Sequence, residues 1–459
     1  MPHPIICQDE RLRQYLQSFR ALFSRPQFEH FVTVLISLLM TQEGYTLSHL
    51  KRAVSEKKSL SSMSRFLAEA PWDHRLVIQY NFSRFCRVVQ PKIEEERLKL
   101  LEEIKKRKRR GRRSTPLVTG YLIGDDSTMH KPKGVRMQGL GRHHSTTEKK
   151  RVIGHSLVQC FYTILGRSCP LEPVLYRQEK TAKKDKLPFI SKIDIMIQQI
   201  QNFTPLSGTV THVLLDSWYS AKEIWKAARE RGFLITTGLK CNRRLRVPCL
   251  NDPKGWTWQR IDEYAASLPK SAYQQLSLPR NPHHKVWVHV VDTHIKKLYR
   301  CKLIIMRESL DDPISDARYW ASSDLLANTQ SLLEHISARW DIEVFFADTK
   351  ALLGIDQYQL LTTTALLRYW TLCWIAYSFL EETRDLLSCH DKQIMEKNDQ
   401  ENREKGDHQD YQDQRDYHVT IGQARRYVQR THQKIFLEWV YQQAFSGIPA
   451  EELFASLVA

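Results

Sequence analysis

Between residues 116 and 239 short apolar runs alternate with amphipathic stretches. That rhythm constrains the fold more than any other feature of the chain. "PLVTGYLIGDD" (116–126), "RVIGHSLVQCFYTILG" (151–166), "THVLLDSWYS" (211–220) and "FLITTGL" (233–239) read as strands. "FISKIDIMIQQI" (189–200) and "AKEIWKAARERG" (221–232) have helical spacing, the second stopped by Gly232. Strands alternating with helices predict an α/β core. The first run ends in Asp125 and Asp126, and the third carries Asp216. Carboxylates at strand ends of such a sheet project into the crevice where ligands bind.

Outside this stretch the pattern changes. Residues 240–315 break the rhythm, and "KVWVHVVDTHI" and "LYRCKLIIMRE" suggest a β hairpin or small antiparallel sheet inserted into the core. "ARYWASS" (317–323) resumes the strands, and "TQSLLEHISARWDIEVFFADTKALLG" resumes the helix. Residues 9–97 read as helices with short polar joints, suited either to a helix-turn-helix-like DNA-binding region or to an ordinary helical bundle; Ser59 or Ser61 is the candidate cap of the fourth. "KKRKRRGRR" (105–113) cannot enter a packed core and marks a boundary. Residues 391–416 hold nine acidic and five basic residues and predict a flexible linker or surface excursion. A basic amphipathic helix or helix pair follows at 424–445. The expected division is a helical region at 1–113, the first part of the core at 114–239, the β insertion at 240–315, the second part of the core at 316–380, and a charged linker with a helical tail at 381–459.

The net charge of +18 favours a polyanionic partner, most simply nucleic acid. The basic tract, comprising Lys105, Lys106, Arg107, Lys108, Arg109, Arg110, Arg112 and Arg113, is expected to lie along phosphates. Nine dispersed cysteines without a C-x-x-C pair point to free thiols in a reducing compartment. "FVTVLISLLM" (31–40) is too short to span a bilayer, and "ALLRYWTLCWIAYSFL" (365–380) carries Arg368 and reads as a buried helix, so no membrane association is expected. The N-terminus lacks the pattern of a secretory signal. "MHKPKGVRMQGLGRHH" has no P-loop signature, so no nucleotide cofactor is expected. His130, His143, His144 and His155 lack zinc-site spacing and read as polar or DNA-facing residues.

The segment "RWDIEVFFADTKALLG" (339–354) is unusual for its charges. On a helical projection Ile342, Phe345, Phe346, Thr349, Leu352 and Leu353 form one apolar arc, and Trp340, Val344, Ala347 and Ala351 a second. Arg339, Glu343 and Lys350 share the strip between them, which predicts a helix buried on two sides. A carboxylate entering a core needs a partner or a metal. Asp125 or Asp126, with Asp216 and Glu343, would repel one another unless cations sat among them. Hard oxygen ligands suit two Mg²⁺ ions, with Mn²⁺ as substitute, and such a pair serves phosphodiester chemistry. Plainer readings exist for each residue. Asp216 followed by Ser is a helix-cap pattern, and Arg339 with Glu343 is an i,i+4 ion pair.

"YLIGDDSTMHKPKG", "HVLLDSWYSAKE" and "SARWDIEVFFADTKALLGIDQYQL" together resemble the DDE transposases of bacterial insertion sequences, which have an RNase H-like core. R-x3-E-x6-K at Arg339, Glu343 and Lys350 is similar to the Y-x2-R-x3-E-x6-K signature of the cut-and-paste branch with a β insertion; Ile336 stands where that branch has Tyr. The resemblance implies an RNase H-like core carrying an inserted antiparallel β subdomain, flanked by helical N- and C-terminal regions. It implies a catalytic set of Asp125, Asp216 and Glu343, with Asp126 the rival first member. The implied activity is Mg²⁺-dependent endonuclease cleavage at inverted-repeat ends, followed by attack of the freed 3′-OH on target DNA. The partners would be double-stranded DNA and a second copy in a synaptic homodimer, in a cytoplasmic, nucleoid-associated setting. Arg339 and Lys350 would meet phosphate, and Trp256 and Trp258 would handle a flipped base. Trp287, within a strand, reads as core. The rival functions are a non-catalytic DNA-binding derivative and a nuclease of the same fold that only hydrolyses.

Overall fold

The computed structural model describes residues 9–54, 58–106, 115–145, 149–250, 252–404 and 419–453. It is a mixed α/β protein built around a large mixed sheet. In chain order the elements are α1 Glu10–Gln17, α2 Arg25–Met40, α3 Leu47–Arg52, α4 Leu60–Ala68, α5 His74–Lys106, β1 Val118–His130, β2 Gly141–Ser145, β3 Lys150–Ile164, β4 Arg167–Pro170, β5 Val174–Tyr176, α6 Glu179–Lys184, α7 Lys192–Asn202, β6 Thr209–Leu215, α8 Lys222–Glu230, β7 Leu234–Leu239, β8 Arg244–Pro248, β9 Trp256–Arg260, α9 Ile261–Ser267, β10 Gln274–Leu278, β11 Asn281–His294, β12 Arg300–Arg307, β13 Arg318–Ser322, α10 Thr329–Ala338, α11 Asp341–Leu353, α12 Thr363–Glu404 and α13 Ile421–Phe445. They gather into two compact units. One comprises residues 1–84, 129–155 and 346–459, the other 85–128 and 156–345.

The second unit carries the sheet, in the order β10-β11-β12-β13-β7-β6-β1-β3, with β4 and β5 also paired to β3. β6 lies between β1 and β7 and is parallel to both. Its buried run Thr211–Leu215 is what a strand covered on both faces requires. The hairpin expected as an inserted sheet is instead part of the main one, because β12 pairs antiparallel with β13 and β13 with β7. Among the described residues only β8 and β9 stand apart, as a two-stranded ribbon. Helix α10 covers β10 to β12 through Leu332, Leu333 and Ile336, packed on Val286, Val288, Ile304 and Met306.

The other unit is mainly helical. Its N-terminal helices pack against α12, where Tyr15 Oη donates to the Ile375 carbonyl at 2.8 Å and Asn81 Nδ2 to Ser378 Oγ at 2.8 Å. Arg368 is buried, as its apolar helix demands, and its guanidinium donates to the carbonyls of Leu67 at 2.9 Å and Trp72 at 2.5 Å. Those bonds satisfy a charge that could not otherwise leave water. Ser59 caps α4, accepting the Ser62 N–H at 3.0 Å.

Three elements differ from the sequence reading. β1 does not end at Asp126 but runs to His130, because β3 still flanks it where β6 has stopped. The stretch from 391 continues helix α12 to Glu404 where a linker was expected, and residues 405–418 lie outside the described ones. The helix through 329–354 is broken at Arg339 and Trp340 into α10 and α11. Helix α11 is also buried on one side only. Ile342, Phe345, Phe346, Thr349 and Leu353 are buried, whereas Trp340 and Val344 are 48% and 55% exposed. Ala347 and Ala351 face solvent with them. Gly354, at φ +57°, ends α11, and Tyr45 occupies the space that any Cβ there would need.

Candidate active site at the end of a parallel strand

The register of β1 and β6 brings two of the predicted carboxylates together. Tyr121 pairs with His212 and Gly124 with Leu215, so Asp125 and Asp216 are the next positions side by side. Strand alternation puts Tyr121, Ile123 and Asp125 on one face, with His212, Leu214 and Asp216 beside them. Helix α10 lies on that face, with His335 Nδ1 3.2 Å from Tyr121 Oη. Gly124 and Asp126 point to the other face. There a Cβ on Gly124 would meet Met196 of α7 at 2.6 Å, which explains the glycine. Asp126 is tied down on that side, Oδ2 to Lys192 Nζ at 2.5 Å and Oδ1 accepting from Tyr219 Oη at 2.9 Å. The two neighbouring aspartates therefore differ in their surroundings: Asp126 is ion-paired within the fold and Asp125 is not.

Burial pushes the Asp125 carboxyl up to about 7, and the charges of Asp126 and Asp216 add to that, with Arg339 opposing. Its Oδ1 accepts the Asp126 N–H at 2.8 Å. Asp216 caps the short 3₁₀ turn Ser217–Tyr219, its Oδ1 accepting the Trp218 N–H at 2.7 Å. The cap reading of Asp216 thus holds, and it uses one oxygen only. Glu343 stands in the first turn of α11, where the helix dipole favours an acid, and its Oε1 accepts from Arg339 Nη2 at 2.5 Å. Arg339 reaches back across the helix break, and its guanidinium lies 5.7 Å from the Trp320 ring centre and 5.2 Å from that of Trp340. The second oxygens of Asp125, Asp216 and Glu343 accept no hydrogen bond from the described residues, and the three side chains do not close to within 4.8 Å of one another.

The remaining predicted residues lie elsewhere. Lys350 is on the part of α11 that belongs to the helical unit, where burial lowers its pKa and Asp356 is the opposing acid. Trp256 and Trp258 are half-buried on the β8–β9 ribbon, edge to face at 5.4 Å, with Arg246 4.2 Å above Trp256. Lys105 and Lys106 end α5, exposed; Arg107, Lys108, Arg109, Arg110, Arg112 and Arg113 lie outside the described residues. His155 does not face outward: it is buried, with Nδ1 2.8 Å from Tyr358 Oη and Nε2 2.8 Å from the Gln138 carbonyl. Trp287 is only half-buried, on β11.

Several residues escaped the sequence reading. Lys192 pairs with Asp126 and Tyr219 donates a hydrogen bond to it, and the aromatic pair in "DSWYS" was a signal for the latter. His212, Asp324 and His335 form a compact group, the one set of at least three His, Cys, Asp or Glu residues among those described whose ligand atoms lie within 4.8 Å of one another. Burial lowers the pKa of His212 far below the ordinary histidine range and that of His335 to about 4. Nothing in the spacing of these three residues marks them. No family model matches the chain, and no curated protein matches it either.

Proposed function

We propose that this chain is a DNA transposase of the DDE type, cutting at the inverted-repeat ends of a mobile element and joining the freed 3′-OH to target DNA. The observation that carries the reading is the register of β1 and β6, which sets Asp125 beside Asp216 on the face that α10 covers, with Arg339 acting on Asp125 and bonded to Glu343. The strand order β3-β1-β6-β7, with β4 and β5 also on β3, supports an RNase H-like core. The strands from β8 to β12 are then the insertion, built partly as an extension of the same sheet.

The donor set fits Mg²⁺. Three carboxylates each keep one oxygen without a hydrogen bond, and Asp125 has more negative than positive charge around it. Asp125 and Asp216 would hold one ion, Asp216 and Glu343 a second. Bound there, Mg²⁺ supplies Lewis-acid stabilisation of attacking and leaving oxygens. The chain's own residues prepare the site. The Asp126 and Trp218 N–H groups fix the rotamers of Asp125 and Asp216. Arg339 orients Glu343 and offers its remaining donors to phosphate. Lys192 and Tyr219 keep Asp126 turned to the other face. No helix among the described residues is long and apolar enough to cross a membrane. On this reading the protein works on DNA in the cytoplasm as a homodimer holding two ends.

The test uses labelled duplexes from the DNA flanking the coding sequence, mixed with Mg²⁺ and wild-type or Asp216→Ala protein. Discrete end cleavage with joined products from wild type alone is expected. Cleavage without joining would make the protein a nuclease only, and binding without cleavage in Mg²⁺ or Mn²⁺ would overturn the catalytic reading.

A further inference from the structure

The face of the sheet that carries Asp125 and Asp216 holds a second polar cluster further back along the same strands. His212 of β6 and His335 of α10 have ring centres 4.1 Å apart, and Asp324 follows β13. Each of the three is held by one atom and leaves another unused. His212 is fully buried, with Nε2 2.8 Å from Thr236 Oγ1. Thr236 Oγ1 and Ser322 Oγ are 2.8 Å apart, so Thr236 can pass its proton to Ser322 and accept one from His212 Nε2. Its Nδ1 is buried and without a hydrogen bond, and with the proton on Nε2 it offers a lone pair. His335 Nδ1 lies 3.2 Å from Tyr121 Oη, an oxygen able to accept its proton, and its Nε2 is buried without a hydrogen bond. Asp324 Oδ1 accepts the N–H groups of Leu326 and Ala327 at 3.1 Å each, and Oδ2 is 3.8 Å from His335 Nε2.

We propose that His212, Asp324 and His335 bind one divalent cation of the zinc class, as a structural site separate from the carboxylates at the strand end. Two imidazole nitrogens and one carboxylate oxygen suit a borderline cation and not Mg²⁺, which prefers oxygen ligands in an octahedron. Bonds of about 2.0–2.2 Å place tetrahedral ligands roughly 3.4 Å apart. The three ligand atoms, all within 4.8 Å of one another, need only a small closure. The hydroxyls of Thr236 and Tyr121 orient the rings as outer-shell groups do around bound metals. Burial of His212 leaves no room for a substrate, so the role is structural. A bound cation would clamp α10 to β6 and to the segment after β13. It would thereby set the end of α10, where Arg339 begins the turn to Glu343. The site does not depend on the transposase reading.

The test strips the full-length protein with a chelator and titrates it with Co²⁺, then Zn²⁺. In excess Mg²⁺, which fills the carboxylates at the strand end, wild type should bind one Co²⁺ with visible ligand-field bands, and Zn²⁺ should displace it. Asp324→Asn keeps an acceptor for both backbone N–H groups, so its fold, checked by circular dichroism, should persist while affinity falls about 100-fold or more. His335→Gln should do the same, and Asp125→Asn should bind as wild type does. Absence of stoichiometric binding by wild type would overturn the proposal. So would binding undiminished in both Asp324→Asn and His335→Gln, or binding lost in Asp125→Asn alone.

Discussion

His212 and Asp216 lie on the same face of one strand, yet the clusters around them have different surroundings. At Asp216 the strand has ended, and carboxylates gather where β1 outlives β6. Each is half satisfied by a backbone N–H or by Arg339, and Glu343 is 37% exposed. At His212 the strand is in mid-course, α10 closes over it, and the groups are neutral imidazoles around one acid. The same sheet thus offers an open acidic end and a closed nitrogen-rich interior. The difference shows that position along a strand, as much as residue type, decides whether a polar cluster lies at the edge of the sheet or stays inside.

The largest separation between the clusters should come from Asp216→Ala. It should lower Mg²⁺-dependent DNA cleavage by on the order of 10³-fold or more while leaving DNA affinity and Co²⁺ binding intact. Gel assays of cleavage and binding on one preparation would check this, and wild-type cleavage by the variant would break the comparison.

Asp125→Asn sharpens it through stability. The folded-state value near 7 lies above the ordinary 3.8, so folding holds the proton and the wild type loses stability as pH rises from about 4 to about 7. Without divalent cations the variant should be more stable than wild type at pH 8 by up to about 4 kcal/mol, and equal to it below pH 4. Denaturant unfolding at three pH values would show it. A constant difference across pH would remove the buried-carboxylate account.

Arg339→Ala should cost about tenfold in cleavage by releasing Glu343, and no more than about 1 kcal/mol of stability, because Glu343 is 37% exposed and can turn to water. Single-turnover kinetics and unfolding curves measure the two effects. The smallest change is expected from Tyr121→Phe, which removes the oxygen beside His335 Nδ1 and should weaken Co²⁺ binding by roughly tenfold with cleavage unaltered.

Much of the sheet was legible beforehand because its strands are local apolar runs. β6, β7, β12 and β13 fall where "THVLLDSWYS", "FLITTGL", "LYRCKLIIMRE" and "ARYWASS" place them. Asp125, Asp216 and Glu343 were legible as acids in apolar surroundings. Which face each acid takes was not, because the pleat makes that a question of register: Asp125 and Asp126 differ by one position and by the whole thickness of the sheet. The second apolar arc of α11 was misread as buried because periodicity shows that a stripe exists but not what covers it. The packing of α1 to α4 against α12 was invisible for a similar reason, since those partners are remote in sequence.

By itself the sequence determined the local alphabet of this protein: apolar strands carrying acids, an apolar helix carrying Arg and Glu, a basic tract, and a net positive charge. Local propensity and hydrophobic period set those, and neighbours in the chain suffice to express them. Only the tertiary structure decided that Asp126 is held by Lys192 and Tyr219, and that His212, Asp324 and His335 meet. Those outcomes depend on strand register and on a helix closing over a sheet, and such contacts exist only once distant segments have packed.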